Sequence, residues 1–227
     1  MPTTLKWLGH AAIEIKTGGK IVLVDPYFTG NSMAAIRPEQ AQADYILVTH
    51  GHHDHVGDGV SIAKRTGATV IANPEIAGWF ARQGLKTQSI EMDTSLELPF
   101  GNLKRTEAAH NSNLPDGSDG GTASGFILTT QEGKKIYLAG DTGLFDSMKA
   151  IGEEGIDFAA LPIGGYYTID PDEALRAVKT IHPKVVLPIH YNSNDKIKQD
   201  PQKWAARVQA ETATKVVVLK PGESVEI

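Results

Sequence analysis

Short apolar runs, separated by glycine and proline, dominate the chain and alternate with segments of helical periodicity. The Gly18-Gly19 pair between residues 12–15 and 21–24 predicts a hairpin turn. Residues 45–49 are apolar on both faces, which is typical of a buried central strand. The predicted strands are residues 5–8, 12–15, 21–24, 45–49, 69–71, 88–90, 103–109, 126–128, 135–139, 158–161, 185–187 and 216–219.

Helical patterns lie between these strands and predict an α/β fold. They span residues 57–65, 74–82, 144–151, 171–180 and 201–210. Pro74 and Pro171 suit the first helical position, because the missing N–H would have no partner there. Asp170 and Glu173 have the spacing of an N-cap and its capping partner.

A weak internal repeat suggests how the chain is organised. Residues 20–25 and 135–141 resemble each other, since each reads as a buried strand that ends in an aspartate. This predicts one domain over residues 1–227 with two β-rich halves, about 1–115 and 116–227, packed sheet to sheet in four layers with the helices outside. Chance similarity between buried strands would explain the repeat equally well.

Composition narrows the classes of protein and of metal site. The 227 residues include no cysteine, which excludes disulfides, thiolate zinc sites and iron–sulfur clusters and fits a cytoplasmic protein. With 22 basic and 27 acidic residues the net charge is −5, so no nucleic-acid partner is expected. No apolar stretch reaches the roughly 18 residues of a membrane span, and the N-terminus does not resemble a signal peptide. We expect a small-molecule substrate and no membrane partner.

The strongest chemical signal directly follows the strand at residues 45–49. His50, His52, Asp54 and His55 form the pattern His-x-His-x-Asp-His. Imidazole and carboxylate are costly to bury without partners, so the cluster indicates metal binding rather than packing. In an extended chain the first three of these side chains would point the same way, and the fourth would follow once the chain turns.

Three further candidate ligands follow predicted strands elsewhere in the chain: His110, Asp141 and His190. Each alone has an ordinary explanation, since a strand-end aspartate commonly caps a helix and a lone histidine is commonly a surface or core residue. Two metal ions need about seven protein ligands, and the motif at residues 50–55 supplies four of them. The three candidates would complete the set.

With these elements in the same order, the chain resembles the metallo-β-lactamase superfamily of metal-dependent hydrolases. The segment 7–11, Trp-Leu-Gly-His-Ala, is similar to the small bacterial branch, whose more distant relatives include ascorbate-6-phosphate lactonase and N-acylphosphatidylethanolamine phospholipase D. The resemblance implies a four-layer αββα sandwich, with two mixed sheets face to face and helices outside. It also implies two divalent metal ions per chain, with zinc favoured over manganese, iron or nickel.

The same resemblance implies a role for each candidate residue. One ion would bind His50, His52 and His110, the other Asp54, His55 and His190, and Asp141 would bridge both. Asp25 would hold a ligand histidine from behind, and Asp54 would also orient the attacking hydroxide.

Other residues near the motif have less specific predictions. His10, Tyr191 and a metal-bound water are candidates for protonating the leaving group. His10 is expected near the site, behind a metal ligand or against the substrate, although a structural role suits it equally well. His53 is expected to face away from the metals, and His182 to lie on the surface. Tyr166 and Tyr167 lie in a glycine-rich loop of the kind that commonly carries specificity.

The favoured function is a hydrolase in which a hydroxide bridging two divalent metals attacks an ester-like, lactone or phosphodiester bond. Two other classes stay open: a single-iron oxidoreductase of the sulfur dioxygenase type on the same scaffold, and a non-catalytic metal-binding protein. The presence of every expected ligand argues against the non-catalytic class. Metal analysis with oxygen uptake would separate the dioxygenase from the hydrolase.

Overall fold

Two sheets of seven strands form the centre of the structure, a computed structural model that describes residues 2–227. In chain order, strands β1 to β14 span Thr4–Gly9, Ala12–Thr17, Lys20–Val24, Tyr45–Leu47, Thr69–Ala72, Thr87–Ser89, Ser95–Leu98, Gly101–Glu107, Ser124–Thr130, Lys135–Leu138, Phe158–Pro162, Val185–Ile189, Lys215–Val216 and Ser224–Glu226. Helices α1 to α6 span His53–Val56, Gly59–Thr66, Pro74–Ala81, Met148–Glu153, Pro171–Ile181 and Pro201–Glu211.

Both sheets mix parallel and antiparallel pairs. The first has the order β14-β1-β2-β3-β4-β5-β6, and its strands β3 to β6 are parallel. The second has the order β13-β12-β11-β10-β9-β8-β7, and its strands β10 to β13 are parallel. The predicted hairpin at Gly18-Gly19 is confirmed, because Thr17 pairs with Lys20 across the turn.

The first sheet is buried on both faces, as its apolar strands predict. Val22 and Val24 of β3 join the core that contains the second sheet, whereas Leu23 joins a separate core with residues of α2 and α3. Residues of α4, α5 and α6 pack with the second sheet on its side of the molecule. The predicted arrangement of two mixed sheets with helices outside is therefore confirmed.

The helix starts follow local sequence signals. Asp170 accepts hydrogen bonds from the backbone N–H groups of Asp172 and Glu173, and the Glu173 carboxylate accepts one from Asp170 N–H. This capping box satisfies backbone donors that have no partner within the helix. Pro171 and Pro74 lie in the first turns of α5 and α3, as predicted.

Several predicted element boundaries were wrong, and two short edge strands were missed. The strand expected at residues 216–219 is only two residues long, since the chain leaves the sheet after Val217 N–H bonds to Val186. The helix expected at residues 144–151 begins at Met148. Strands β7 and β14 carry no strong apolar run and were not predicted. The chain passes from the first to the second sheet between Ser89 and Ser95; the division into halves near residue 115 stays a prediction.

Within residues 2–227, the helices fall short of the length and apolarity that crossing a membrane requires.

Phe126 of β9 offers a direct test of the packed core. Its side chain is fully buried among apolar residues, so Phe126→Ala should lower the free energy of unfolding by about 3–5 kcal/mol. Half-buried Phe145 is the control, and its replacement by alanine should cost about 1 kcal/mol because part of its ring already faces water. Urea unfolding followed by circular dichroism measures both, and equal losses would contradict the placement of Phe126.

Candidate metal centre

Strands from both sheets end at one edge of the molecule, and the predicted site residues follow those ends. Asp25 follows β3, and His50 follows the parallel neighbour β4 by three residues. Asp141 follows β10, and His190 directly follows β12 in the same parallel part of the second sheet. Parallel strands bring their carboxyl ends to the same edge of a sheet. The topology therefore brings these side chains to one edge within each sheet, and the packing of the two sheets brings the two edges together.

The motif at residues 50–55 turns earlier than predicted. His53–Val56 form one helical turn, and His55 and Val56 N–H groups both donate to the His52 carbonyl. The extended conformation expected through Asp54 was therefore wrong. Because of this turn Asp54 and His55 have different neighbours, His10 for the carboxylate and Asp25 for the imidazole.

Three histidines form the first group of candidate ligands. Nδ1 of His52 lies 3.0 Å from Nε2 of His50 and 3.3 Å from Nε2 of His110. Two ligands of one tetrahedral zinc ion, each bonded at 2.0–2.1 Å, lie about 3.3 Å apart. The three nitrogens therefore have the spacing of ligands to a single cation.

Asp141 contacts members of both predicted groups. Its Oδ1 lies 3.2 Å from His55 Nε2, and its Oδ2 lies 3.2 Å from His190 Nε2 and 3.7 Å from His110 Nε2. Asp54 Oδ2 lies 3.9 Å from His190 Nε2. The structure thus brings together all seven side chains predicted as ligands.

Several deeply buried nitrogen and oxygen atoms of this cluster have no hydrogen-bond partners within the part of the chain that the structure describes. Three ligand-type atoms that face the cluster, His55 Nε2, Asp141 Oδ1 and His190 Nε2, are buried and, among residues 2–227, have no hydrogen-bond partner; the other ring nitrogen of His190, Nδ1, has none either. The first two atoms are close, at 3.2 Å, but lack hydrogen-bond geometry. A buried polar atom without a partner costs about 1–3 kcal/mol, so three in one place need a common explanation. A bound cation would satisfy them together.

A second layer of hydrogen bonds orients two of the imidazoles. The Asp25 carboxylate accepts from the Thr49 hydroxyl at 2.7 Å and from His55 Nδ1 at 2.8 Å. Since the Thr49 hydroxyl donates to Asp25, its oxygen accepts from His50 Nδ1 at 3.1 Å. His50 and His55 therefore both direct Nε2 toward the cluster, which is the atom that a metal ligand needs to leave unprotonated.

Burial and charge act together on the proton affinities. Burial lowers the pKa of His50 well below its ordinary value. Burial alone would raise the pKa of Asp141, but His190 and His55 hold it well below the ordinary range. Burial would lower the pKa of His55, yet the carboxylates of Asp141 and Asp25 raise it. A cation that binds His55 must displace its proton, so cation affinity should rise with pH.

A cavity of about 440 Å³ opens onto the cluster. Metal-ligand candidates form its floor, and neutral polar side chains form much of its wall; the lining residues outside the ligand set are His10, Tyr27, Gly30, His53, Asn111, Tyr167, Ser193 and Asn194. A larger groove of about 720 Å³ lies beside the start of α6, but none of the clustered residues lines it. Because the candidate ligands line the smaller cavity, we take it as the substrate site.

Comparison with known proteins agrees with this geometry. Residues 4–190 match the model of a family described as the beta-lactamase superfamily domain. A UPF0173 metal-dependent hydrolase of Symbiobacterium thermophilum is 45% identical over 224 residues, which cover 97% of this chain and 98% of the relative. The chain belongs to the UPF0173 metal-dependent hydrolases of the beta-lactamase superfamily.

Solved structures show the same fold. The metallo-hydrolase Igni18 from the archaeon Ignicoccus hospitalis is 34% identical and superposes with a TM-score of 0.92, covering 100% of this chain and 99% of its own. A metallo-beta-lactamase fold protein of Bacillus subtilis, at 16% identity, superposes with a TM-score of 0.77 over the full length of both chains. The UPF0173 protein therefore has the metallo-β-lactamase fold that its motifs predicted, and it is a metal-dependent hydrolase.

The two residues predicted to protonate a leaving group have different surroundings. His10 lines the cavity and contacts Asp54. Tyr191 does not line it: the side chain is buried, the ring stacks on Trp7 with centroids 5.3 Å apart, and burial raises the pKa of Tyr191 to about 12. The structure brings only His10 to the place where such a donor would act.

Other predictions concern the rim and the surface of this UPF0173 protein. Tyr167 lines the cavity, and Tyr166, 72% exposed, packs against the ring of Tyr167. The His53 side chain is 75% exposed and lines the cavity, and it lies outside the clusters of ligand-type atoms. His182 caps the end of α5 and is exposed.

The residues that hold or line the site through neutral polar groups were not predicted from the sequence. Thr49 links Asp25 to His50, and its position directly before the motif is the one local signal that would have identified it. Ser193 and Asn111 line the cavity close to His190 and His110 along the chain. Serine and asparagine are common in loops, so no pattern distinguishes them.

His53 and His52 provide a matched test of the ligand assignment. His53→Ala should retain both metal equivalents and most of the rate, because its imidazole extends into solvent. His52→Ala should lose an equivalent, because Nδ1 lies among the first group. The metal bound by each variant is measured after equilibrium dialysis. Loss of a whole metal equivalent in the His53 variant would contradict the ligand assignment.

Proposed function

We propose that this protein hydrolyses an ester-like, lactone or phosphodiester bond with a hydroxide that bridges two divalent cations. The proposal rests chiefly on one observation: three buried ligand-type atoms that lack partners lie at the centre of a histidine and aspartate cluster. Solvated surface histidines would have no such orphaned atoms. The names of the UPF0173 relatives, all metal-dependent hydrolases, support the same reaction class.

The residues fit two cation positions. His50, His52 and His110 would hold one cation, Asp54, His55 and His190 the other, and Asp141 would contribute to both. When bound, such a pair of divalent cations makes hydroxide available near neutral pH and polarises the bond under attack. Imidazole and carboxylate ligands suit zinc first, with manganese, iron or nickel as alternatives.

The chain's own groups would orient the substrate and the nucleophile. Asp54 lies at the cavity floor with a carboxylate that accepts hydrogen bonds, so it would orient hydroxide for attack. Tyr27, Asn111 and Asn194 offer neutral donors and acceptors on the wall. A cavity of about 440 Å³ suits a small molecule, which we propose as the substrate. We propose no nucleic-acid or membrane partner, and a cytoplasmic location.

Asp141 gives the most direct test of the paired-cation site. Asp141→Ala should lower bound metal toward one ion or none and abolish turnover, because the carboxylate contacts histidines of both groups. Asp146→Ala, an exposed position on the following loop, is the control and should retain both ions. Metal analysis and circular dichroism separate a lost site from a lost fold. Wild-type metal content and activity in the Asp141 variant would refute the paired site.

A metal-reconstituted activity screen tests the reaction class. We expect the chelator-treated protein to be inactive and to regain hydrolysis of a lactone, ester or phosphodiester when zinc or manganese is added back. Thioesters and β-lactams complete the panel, and the His55→Ala protein excludes contaminating enzymes because it lacks a central candidate ligand. Oxygen uptake without hydrolysis would instead indicate the dioxygenase chemistry.

A further inference from the structure

His10 lies at the tip of the β1–β2 hairpin, outside the set of seven predicted ligands. Gly9 pairs with Ala12, so His10 is the first residue of a two-residue turn. Its φ is +55°, a left-handed conformation in which glycine or asparagine is the usual residue. A side chain held in such a conformation at the floor of a cavity suggests a functional role rather than a turn-forming one.

The backbone around His10 holds the turn rigidly against the second sheet. The His10 carbonyl accepts hydrogen bonds from the Trp7 indole at 2.9 Å and from His190 N–H at 3.0 Å. A Cβ at Gly9 would overlap the Met33 carbonyl, so the chain passes close there as well. The position of the imidazole is therefore set by contacts from three parts of the chain.

Both ring nitrogens of His10 have partners, although the side chain is only 2% exposed. Nε2 lies 3.1 Å from Asp54 Oδ2, and Nδ1 lies 2.7 Å from Ser193 Oγ. An ionised carboxylate only accepts, so Nε2 carries the proton and donates to Asp54. With a single proton on the ring, Nδ1 then accepts from the Ser193 hydroxyl.

This contact differs from those between the candidate metal ligands. His55 Nε2 and Asp141 Oδ1 lie 3.2 Å apart, about the same distance as His10 Nε2 and Asp54 Oδ2, yet they lack hydrogen-bond geometry and neither atom has another partner in the described part of the chain. His10 Nε2 and Asp54 Oδ2 do form a hydrogen bond. Within residues 2–227, Asp54 has no other side-chain hydrogen-bond partner, so its carboxylate depends on His10 for its orientation.

We propose that His10, anchored by Ser193, is a positioning residue that orients the Asp54 carboxylate in the second cation site. The inference rests on the proposed paired-cation function and adds a role that acts through Asp54. Hydrogen-bond partners of this kind set the orientation of a ligand, and their removal typically costs 10–100-fold in metal affinity or activity.

Two substitutions distinguish the contributions of the hydrogen bonds made by the two ring nitrogens of His10. Asparagine suits the left-handed turn and can place its amide near Ser193, but it is too short to reach Asp54. Glutamine can place an amide donor where Nε2 lies. His10→Asn should therefore weaken the binding of one of the two zinc ions about 10–100-fold and leave the other unchanged, whereas His10→Gln should restore most of the affinity.

His182 supplies a matched control. It also has a left-handed φ, +52°, but its side chain is exposed at the end of α5. His182→Asn makes the same chemical change in the same backbone conformation and should leave both affinities unchanged. Ser193→Ala should weaken the binding of the same zinc ion as His10→Asn by about 2–10-fold, the contribution of one neutral hydrogen bond.

The measurement is competition for zinc with a chromophoric chelator, supported by the visible spectrum of the cobalt-loaded protein and by kcat and KM on any ester that the wild type hydrolyses. If His10 acts through Asp54 and Ser193 through His10, the double variant His10→Asn with Ser193→Ala should behave like His10→Asn alone. Additive losses of zinc affinity in the double variant would contradict the proposal that Ser193 acts through His10 on Asp54.

Other outcomes have distinct meanings. Unchanged zinc affinities in His10→Asn would refute the positioning role. Loss of a whole equivalent, with no recovery at high zinc concentration, would refute it too, because His10 would then be a ligand itself. A wild-type protein that binds fewer than two zinc ions would instead refute the proposed paired-cation function.

Discussion

The buried carboxylate of Asp25 is the constraint on which the rest of the site depends. Its side chain is almost fully buried, and it satisfies its oxygens with the Thr49 backbone N–H, the Thr49 hydroxyl and His55 Nδ1. Through the hydroxyl it also determines which nitrogen of His50 carries a proton. One charge at the end of β3 therefore sets two imidazole orientations on the neighbouring loop. The residue has a φ of +42°, a strained conformation that persists only when its surroundings determine it.

The cluster above Asp25 is assembled across the two sheets, and a close backbone contact sets the distance between them. Gly140, in the loop after β10, has a φ of +60°, and a Cβ there would lie 2.7 Å from the Thr49 hydroxyl oxygen. Ser124 at the start of β9 donates two hydrogen bonds to the Thr49 carbonyl. The loop after β4 is thus held by the second sheet, and Asp141 can approach His55 as closely as it does.

Much of the fold and most of the candidate site could be predicted from the sequence because the signals are local. Strand periodicity, the Gly18-Gly19 turn and the starts of α3 and α5 depend on neighbouring residues, and polar residues after buried strands indicate where ligands converge. What could not be predicted depends on tertiary contacts. Ser193 meets His10 across 183 positions, and the stacking of Tyr191 on Trp7 removes that tyrosine from the cavity. The helical turn at His53–Val56 was missed because it is too short for a periodic pattern.

Because the candidate ligands come from both sheets, a bound cation would also affect the stability of the protein in a cell. A cation held by His50 on one side and Asp141 on the other would add a crosslink between layers that are already joined by apolar packing and by the hydrogen bonds of Ser124 to Thr49. Ligand binding to the native state alone raises stability in proportion to the logarithm of the free ligand concentration. Metal starvation would therefore reduce resistance to proteolysis as well as enzymatic capacity, and the abundance of the protein would follow the metal supply.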